Sequence, residues 1–281
     1  MDPPLETPSF PAIRACIFDM DGLLINSEDI LTQATNQLLE KYGRPVFTRS
    51  IRTQMMGVPG STNGDVFHNW ARLPVSREEF AQEWSEKMRL HLPDSKPLPG
   101  SEKLLSNLSL ACSTSPSRER IELALASGTT TDSYDLKTSR PETKRLLSFF
   151  QSDRRVLGDD ARVPRGRGKP APDIYLVALQ TLNSTADSGK KAILPSECLV
   201  FEDSAVGVIA ARRAGMRAVW VPHPDVAAEY QAGWKDVLAC RMGLNEIGDD
   251  WQLGETDDGW VEQIPSLENF DYRKYGIDVP S

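Results

Sequence analysis

The sequence is short of the residues on which several kinds of function depend. Its 281 residues include three histidines and four cysteines. His68, His91 and His223 have no metal-ligand spacing, and only His68 is kept as a candidate substrate contact. Cys16, Cys112, Cys198 and Cys240 are scattered without a CxxC pair, which speaks against a zinc site or a disulfide framework. Positive charge is also in deficit. There are 32 Lys and Arg against 40 Asp and Glu, a formal net charge of −8. A nucleic-acid binder normally presents a basic face, so no nucleic-acid partner is expected. No apolar run approaches the ~18 residues that a membrane span needs, so no membrane partner is expected either. The opening MDPPLETPSFPAIRA has no basic start and no apolar core, and reads as neither signal nor transit peptide. The expectation is a cytoplasmic monomer.

Short apolar runs are present, and they are ordered. Ala15-Phe18, Ile121-Ala126, Cys198-Phe201 and Ala218-Val221 are continuous rather than alternating, with Val156-Leu157 as a fifth. Continuous runs are the pattern of strands buried on both faces of a parallel sheet. Helical patterns separate them. Asp173-Leu182 follows Pro172, a good first-turn residue, and Ser204-Ala214 stops at Gly215, a natural C-cap. The alternation predicts an α/β fold with a doubly wound parallel sheet. From about Asp29 to Pro93 there is helical periodicity and no convincing strand. Leu31, Ala34, Leu38 and Leu39 make one stripe, and Phe80, Trp84, Met88 and Leu92 another. This predicts an inserted α-helical cap domain over residues 28–93, in a discontinuous core of 1–27 and 94–281, with hinges near Asn26–Glu28 and Pro93–Pro99. Asn107-Arg120 and Leu244-Glu262 read as solvated surface insertions.

In a parallel α/β sheet, ligands bind outside the carboxyl ends of the strands. The residues following each run therefore matter most. They are Asp19-Met20-Asp21-Gly22, then Ser127-Gly128-Thr129, then Gly158-Asp159-Asp160 with the basic loop ending in Gly168-Lys169-Pro170, then Glu202-Asp203-Ser204. A cluster of Asp19, Asp21, Glu202 and Asp203 needs a cation, and oxygen-only ligands select a hard ion such as Mg²⁺. Ser127, the backbone N–H groups near it and Lys169 are donors suited to a phosphate. Singly, each has a plainer reading: Ser127 as a helix N-cap, Lys169 as a surface lysine, Asp173 as an N-cap, Asp159 and Asp160 as turn residues. Their order and placement together are specific.

The motifs FDMDG (Phe18-Gly22), LASG ending at Gly128, GKPAPDIY (Gly168-Tyr175) and FEDS (Phe201-Ser204) resemble those of the haloacid dehalogenase-like hydrolase superfamily, in particular its Rossmann-like phosphatases with a helical cap. FDMDGLLINSED, GRGKPAPDIY and WVPHPD are further similar to the branch related to pseudouridine-5'-phosphatase. The resemblance implies Asp19 as the nucleophile that forms an aspartyl-phosphate, and Asp21 as the acid, then the base. It implies Mg²⁺ held by Asp19, Asp203 and the Asp21 carbonyl, with Glu202 as ligand or neighbour. Ser127, Gly128 and Lys169 would bind the phosphoryl group. Met55-Met56-Gly57-Val58-Pro59-Gly60 would reach in from the cap, with Arg52, Met56 and Gly57 as candidates for substrate specificity.

The resemblance implies a phosphatase acting on a small phosphomonoester, such as pseudouridine 5'-phosphate or a sugar or polyol phosphate. A sugar phosphomutase is the alternative, although Asn26-Ser27-Glu28-Asp29 lacks the histidine such relatives often carry there. A non-catalytic binding module on the same fold is the other. Gly128 is a departure, since relatives often carry a hydroxyl or amide residue at that position.

Overall fold

The computed structural model describes residues 10–48, 51–52, 67–184, 191–230, 233–240, 254–255 and 257–280. Among the described residues there are eight strands: β1 (Ala15–Phe18), β2 (Cys112–Ser113), β3 (Glu122–Ala126), β4 (Arg155–Val156), β5 (Cys198–Glu202), β6 (Arg217–Trp220), β7 (Val261–Gln263) and β8 (Ile277–Asp278). Six of them form one parallel sheet in the order β4-β3-β1-β5-β6-β7. The chain winds outward from β1 on one side through β3 and β4, then returns to β5 and winds the other way. The order reverses beside β1, so the edge just past β1 is where such a sheet opens a crevice.

Both faces of the central strand are apolar, which explains why its sequence does not alternate. Cys16 and Phe18 join one core with Leu123, Leu125, Leu199 and Phe201. Ala15 and Ile17 join the other with Ala124, Ala126 and Val200. In register, Phe18 lies opposite Leu125 on one side and Phe201 on the other. The Phe18 and Phe201 rings stack with centroids 4.5 Å apart. Fully burying one such side chain contributes about 1.5–3 kcal/mol. This register places the residues after β1, β3 and β5 side by side.

Among the described residues the helices are α1 (Ser27–Lys41), α2 (Arg77–His91), α3 (Ser101–Leu110), α4 (Thr131–Lys137), α5 (Pro141–Leu147), α6 (Asp173–Ser184), α7 (Ala205–Arg213), α8 (Pro224–Glu229) and α9 (Trp234–Leu238). The α7 helix begins on Ser204, whose hydroxyl accepts from Gly207 N at 3.1 Å. It ends before Gly215, whose φ of +73° supplies the left-handed cap.

No strand lies between α1 and α2 among the described residues. Leu38, Leu39, Phe67, Ala71 and Phe80 pack together there. Ile30, Ala34, Met88 and Leu92 form a second cluster, against which Leu136 of α4 rests. The chain leaves the core and re-enters it along two adjacent segments. Asn26 N donates to Lys96 O at 3.1 Å, and Leu98 N to Leu24 O at 2.9 Å.

The two segments expected to be solvated insertions contribute to sheets. Cys112–Ser113 pairs antiparallel with Ile277–Asp278. Val261–Gln263 adds the edge strand beside β6, with Ala218 N donating to Trp260 O at 2.9 Å. Both expectations are corrected in these parts, because main-chain pairing there needs no apolar run. Among the described residues no helix is long and apolar enough to cross a membrane.

Candidate active site

Asp19 follows β1 directly and is buried. Lys169 Nζ stands 2.5 Å from its Oδ1 and also binds the Glu202 carboxylate. Glu202 ends β5 with no exposed surface. One of its oxygens takes Lys169 and the Tyr175 hydroxyl. The other takes the Ser204 hydroxyl at 3.0 Å and the Ser204 amide at 3.3 Å. Both oxygens of Glu202 therefore meet protein donors, Lys169 among them.

Asp203 differs. Its carboxylate lies against the backbone of Gly22, where a Cβ would come within 2.3 Å of Oδ2. Gly22 also has a φ of +77°, so glycine meets two demands at once. No hydrogen bond or ion pair from a described residue reaches the buried Asp203 carboxylate. Oxygens of Asp19, Glu202 and Asp203 lie within 4.8 Å of one another, a donor set fit for a metal ion. Burial pushes the Asp19 carboxyl up to about 7, while Lys169 opposes the rise and Glu202 and Asp21 add to it. Burial, then Glu202 and Asp19, push Asp203 well above the usual carboxylate range. A bound cation would reverse both shifts.

The Asp21 side chain stands apart from that cluster. It accepts from the Ser27 hydroxyl, faces Lys137 Nζ at 2.7 Å, and lies 3.5 Å from Ser127 Oγ. Among the sequence candidates, Asp19, Asp21, Ser127, Lys169, Glu202 and Asp203 thus gather at one edge of the sheet. Ser127 is buried after β3, and Gly128 beside it is exposed with open space around its Cα. Asp159 accepts from the Thr131 amide and hydroxyl and so anchors α4. Asp173 pairs with Arg167 at 3.0 Å. Of the specificity candidates, Arg52 is buried and meets Glu28 at 3.3 Å. Met56 and Gly57 lie outside the described residues. His68 stacks edge-on against Phe80.

Two participants were not anticipated, Lys137 and Glu28. Lys137 is buried, three residues after buried Tyr134 on α4, a spacing that puts both on one helix face. That spacing was the available signal. Burial pushes the Glu28 carboxyl up, Arg52 opposes, and Asp21 adds to the rise. Among the described residues the five carboxylates Asp19, Asp21, Glu28, Glu202 and Asp203 thus face three cations, Lys169, Lys137 and Arg52. Two uncompensated negative charges in a buried site favour a divalent cation.

A family model described as haloacid dehalogenase-like hydrolase matches residues 16–221. A probable pseudouridine-5'-phosphatase of Saccharomyces cerevisiae is 33% identical over 266 residues, covering 95% of this chain and 98% of its own. (DL)-glycerol-3-phosphatase 2 of Arabidopsis thaliana is 32% identical across 92% of this chain and 98% of its own. A conserved haloacid dehalogenase-like protein of unknown function from Agrobacterium tumefaciens shares the fold, with a TM-score of 0.60 at 20% identity, over 92% of this chain and 95% of that one. The matched stretch runs from β1 past the end of β6 and takes in every strand end that builds the site, and the chain belongs to the haloacid dehalogenase-like hydrolase family.

Proposed function

We propose that the chain is a Mg²⁺-dependent phosphatase that hydrolyses a small phosphomonoester through an aspartyl-phosphate on Asp19. The observation that carries this reading is the separation of two carboxylates only two residues apart. Asp19 lies in the acidic cluster with Lys169, whereas Asp21 is turned to Lys137, Ser27 and Ser127. In this reading one attacks phosphorus and the other moves a proton.

In this reading Lys169, the Ser127 hydroxyl and the Gly128 backbone hold the phosphoryl oxygens. An Asp19 oxygen bonds to phosphorus as the bond to the leaving oxygen breaks, and Asp21 gives that oxygen a proton. A water then attacks the phosphoaspartate while Asp21 takes its proton, which returns both carboxylates to their starting states. Asp19, Asp203 and the Asp21 carbonyl would hold Mg²⁺, with Glu202 keeping Lys169 in place. Bound there, the ion would offset the repulsion between Asp19 and an anionic ester.

Residues 28–93 act as the cap, and the paired segments at Asn26 and Lys96 as its hinge. Closure would exclude water and select the ester. The names of the yeast and Arabidopsis relatives support nucleoside monophosphates or polyol phosphates as the substrate class.

The test is phosphate release from pseudouridine 5'-phosphate, uridine monophosphate, glycerol 3-phosphate, 2-deoxyglucose 6-phosphate and glucose 1-phosphate, with Mg²⁺ and with EDTA. Mg²⁺-dependent release from one strongly preferred compound is expected. Conversion of glucose 1-phosphate to its 6-phosphate would make the protein a mutase. Silence together with no Mg²⁺ binding would make it a binding module.

A further inference from the structure

The Lys137 ammonium is spent on neither the phosphate pocket nor the acidic cluster. Its Nζ lies 2.7 Å from Asp21 Oδ1 and 2.8 Å from the Thr129 hydroxyl, and its side chain is 6% exposed. Thr129 is itself fixed, because its carbonyl accepts from Gly158 N at 2.7 Å and its amide donates to Ser127 Oγ at 3.3 Å. The helix that carries Lys137 is held at its start by the Asp159 carboxylate. A long side chain held at its ammonium by both Asp21 and Thr129 leaves Asp21 one direction to point. We propose that Lys137 is a positioning residue, which together with Ser27 aims the Asp21 carboxyl at the leaving oxygen of the ester. This rests on the reading of Asp21 as the acid in the proposed function.

The geometry also ties this aim to the segment that carries α1 and α2. Ser27, a second donor to Asp21, is the first residue of α1. Leu136, the neighbour of Lys137, packs on the cluster of Ile30, Ala34, Met88 and Leu92. Lys137 and Ser27, which meet Asp21 together with the Ser127 hydroxyl, therefore come from the two elements that meet where that segment rests on the sheet core.

The experiment compares the full-length wild type with Lys137→Met, Lys137→Gln, Lys137→Arg, Asp21→Asn and the Asp21→Asn/Lys137→Met pair, all with Mg²⁺. The probes are phenyl phosphate and p-nitrophenyl phosphate, esters of similar shape whose leaving groups differ in their need for a proton. Lys137→Met is expected to lose about 30-fold in kcat/KM on phenyl phosphate and about threefold or less on p-nitrophenyl phosphate, as Asp21→Asn does more severely. The loss falls in kcat rather than KM, and Lys137→Arg recovers most of it. Adding Lys137→Met to Asp21→Asn costs nothing further, since the lysine acts through the aspartate. Thermal melts identify a variant that fails to fold. Lys137→Gln keeps a donor to Thr129 without the charge and then carries the same comparison. Equal losses on both esters, a loss confined to KM, or additive losses in the double variant would overturn the proposal. If Asp21→Asn itself shows no leaving-group dependence, the acid role fails and this inference falls with it. If Asp21→Asn shows the dependence and no Lys137 variant does, only the positioning role fails.

Discussion

Gly207 and Glu202 exclude a side chain between them: a Cβ on Gly207 would lie 1.9 Å from Cδ and Oε1 of the Glu202 carboxyl. Gly207 sits inside α7, where glycine is normally unfavourable and Gly→Ala normally stabilises by roughly 1 kcal/mol. Here the sign should reverse. Gly207→Ala must push aside a fully buried carboxylate that holds Lys169 and Tyr175. The expected outcome is a destabilisation of about 1–3 kcal/mol, with a fall in turnover of tenfold or more, about 1.4 kcal/mol. Thermal melting and phosphate release measure the two effects. A variant more stable than wild type with full activity would show that the helix can shift away from Glu202.

The Asp19 carboxyl makes metal-free stability depend on pH. In the folded protein it is pushed up to about 7, whereas an unfolded aspartate titrates near ~3.9. Between those values the folded state holds a proton that the unfolded chain has released, so stability falls as pH rises through the window. Asp19→Asn removes the charge while keeping the shape. In EDTA at about pH 8 the variant should be more stable than wild type by on the order of 4 kcal/mol, and the gap should close toward about pH 4. The same variant should have no turnover. Melts across a pH series decide the first point, because a gap that does not change with pH would mean that Asp19 stays charged throughout.

How far the sequence discloses this arrangement depends on what each residue is asked to do. Ala15-Phe18 and Cys198-Phe201 are legible as central strands because both faces are buried, so their apolar runs do not alternate. The residues after them are legible as site residues because register places strand ends together. Val261–Gln263 is not legible, because an edge strand pairs through its backbone and one valine carries no pattern. The pairing of Cys112–Ser113 with Ile277–Asp278 joins segments too distant in sequence for any local signal. Lys137 escapes for another reason. A lysine on a short helix reads as solvated, and its burial has meaning only once Asp21 and Thr129 are seen around it.

Asp21→Asn tests the division of labour between the two aspartates. The asparagine can still meet Ser27 and Lys137 through its carbonyl oxygen, so the fold should hold. It cannot give a proton to the leaving oxygen or take one from water. Both half-reactions should slow, with turnover on an alkyl phosphate down by about 100-fold or more. Steady-state kinetics measure this. Activity within about tenfold of wild type would remove the acid–base role.

Among the described residues no hydrogen bond or ion pair reaches the buried Asp203 carboxylate, so its charge should weaken the metal-free fold and strengthen the metal-bound one. The two effects give Asp203→Asn a crossing signature. In EDTA the variant loses repulsion against Asp19 and Glu202 and should melt above wild type. On adding Mg²⁺, wild type should rise in melting temperature as the ion binds the folded state alone, while the variant should rise far less. Calorimetric titration with Mg²⁺ should give a correspondingly weaker affinity for the variant. If both proteins respond equally to Mg²⁺, the ion does not use Asp203, and the acidic cluster would need another explanation for its uncompensated charge. If the variant instead melts lower in EDTA, the carboxylate must already have a favourable partner in the metal-free protein. Together the two melting curves separate an oxygen that waits for a cation from one that merely fills space.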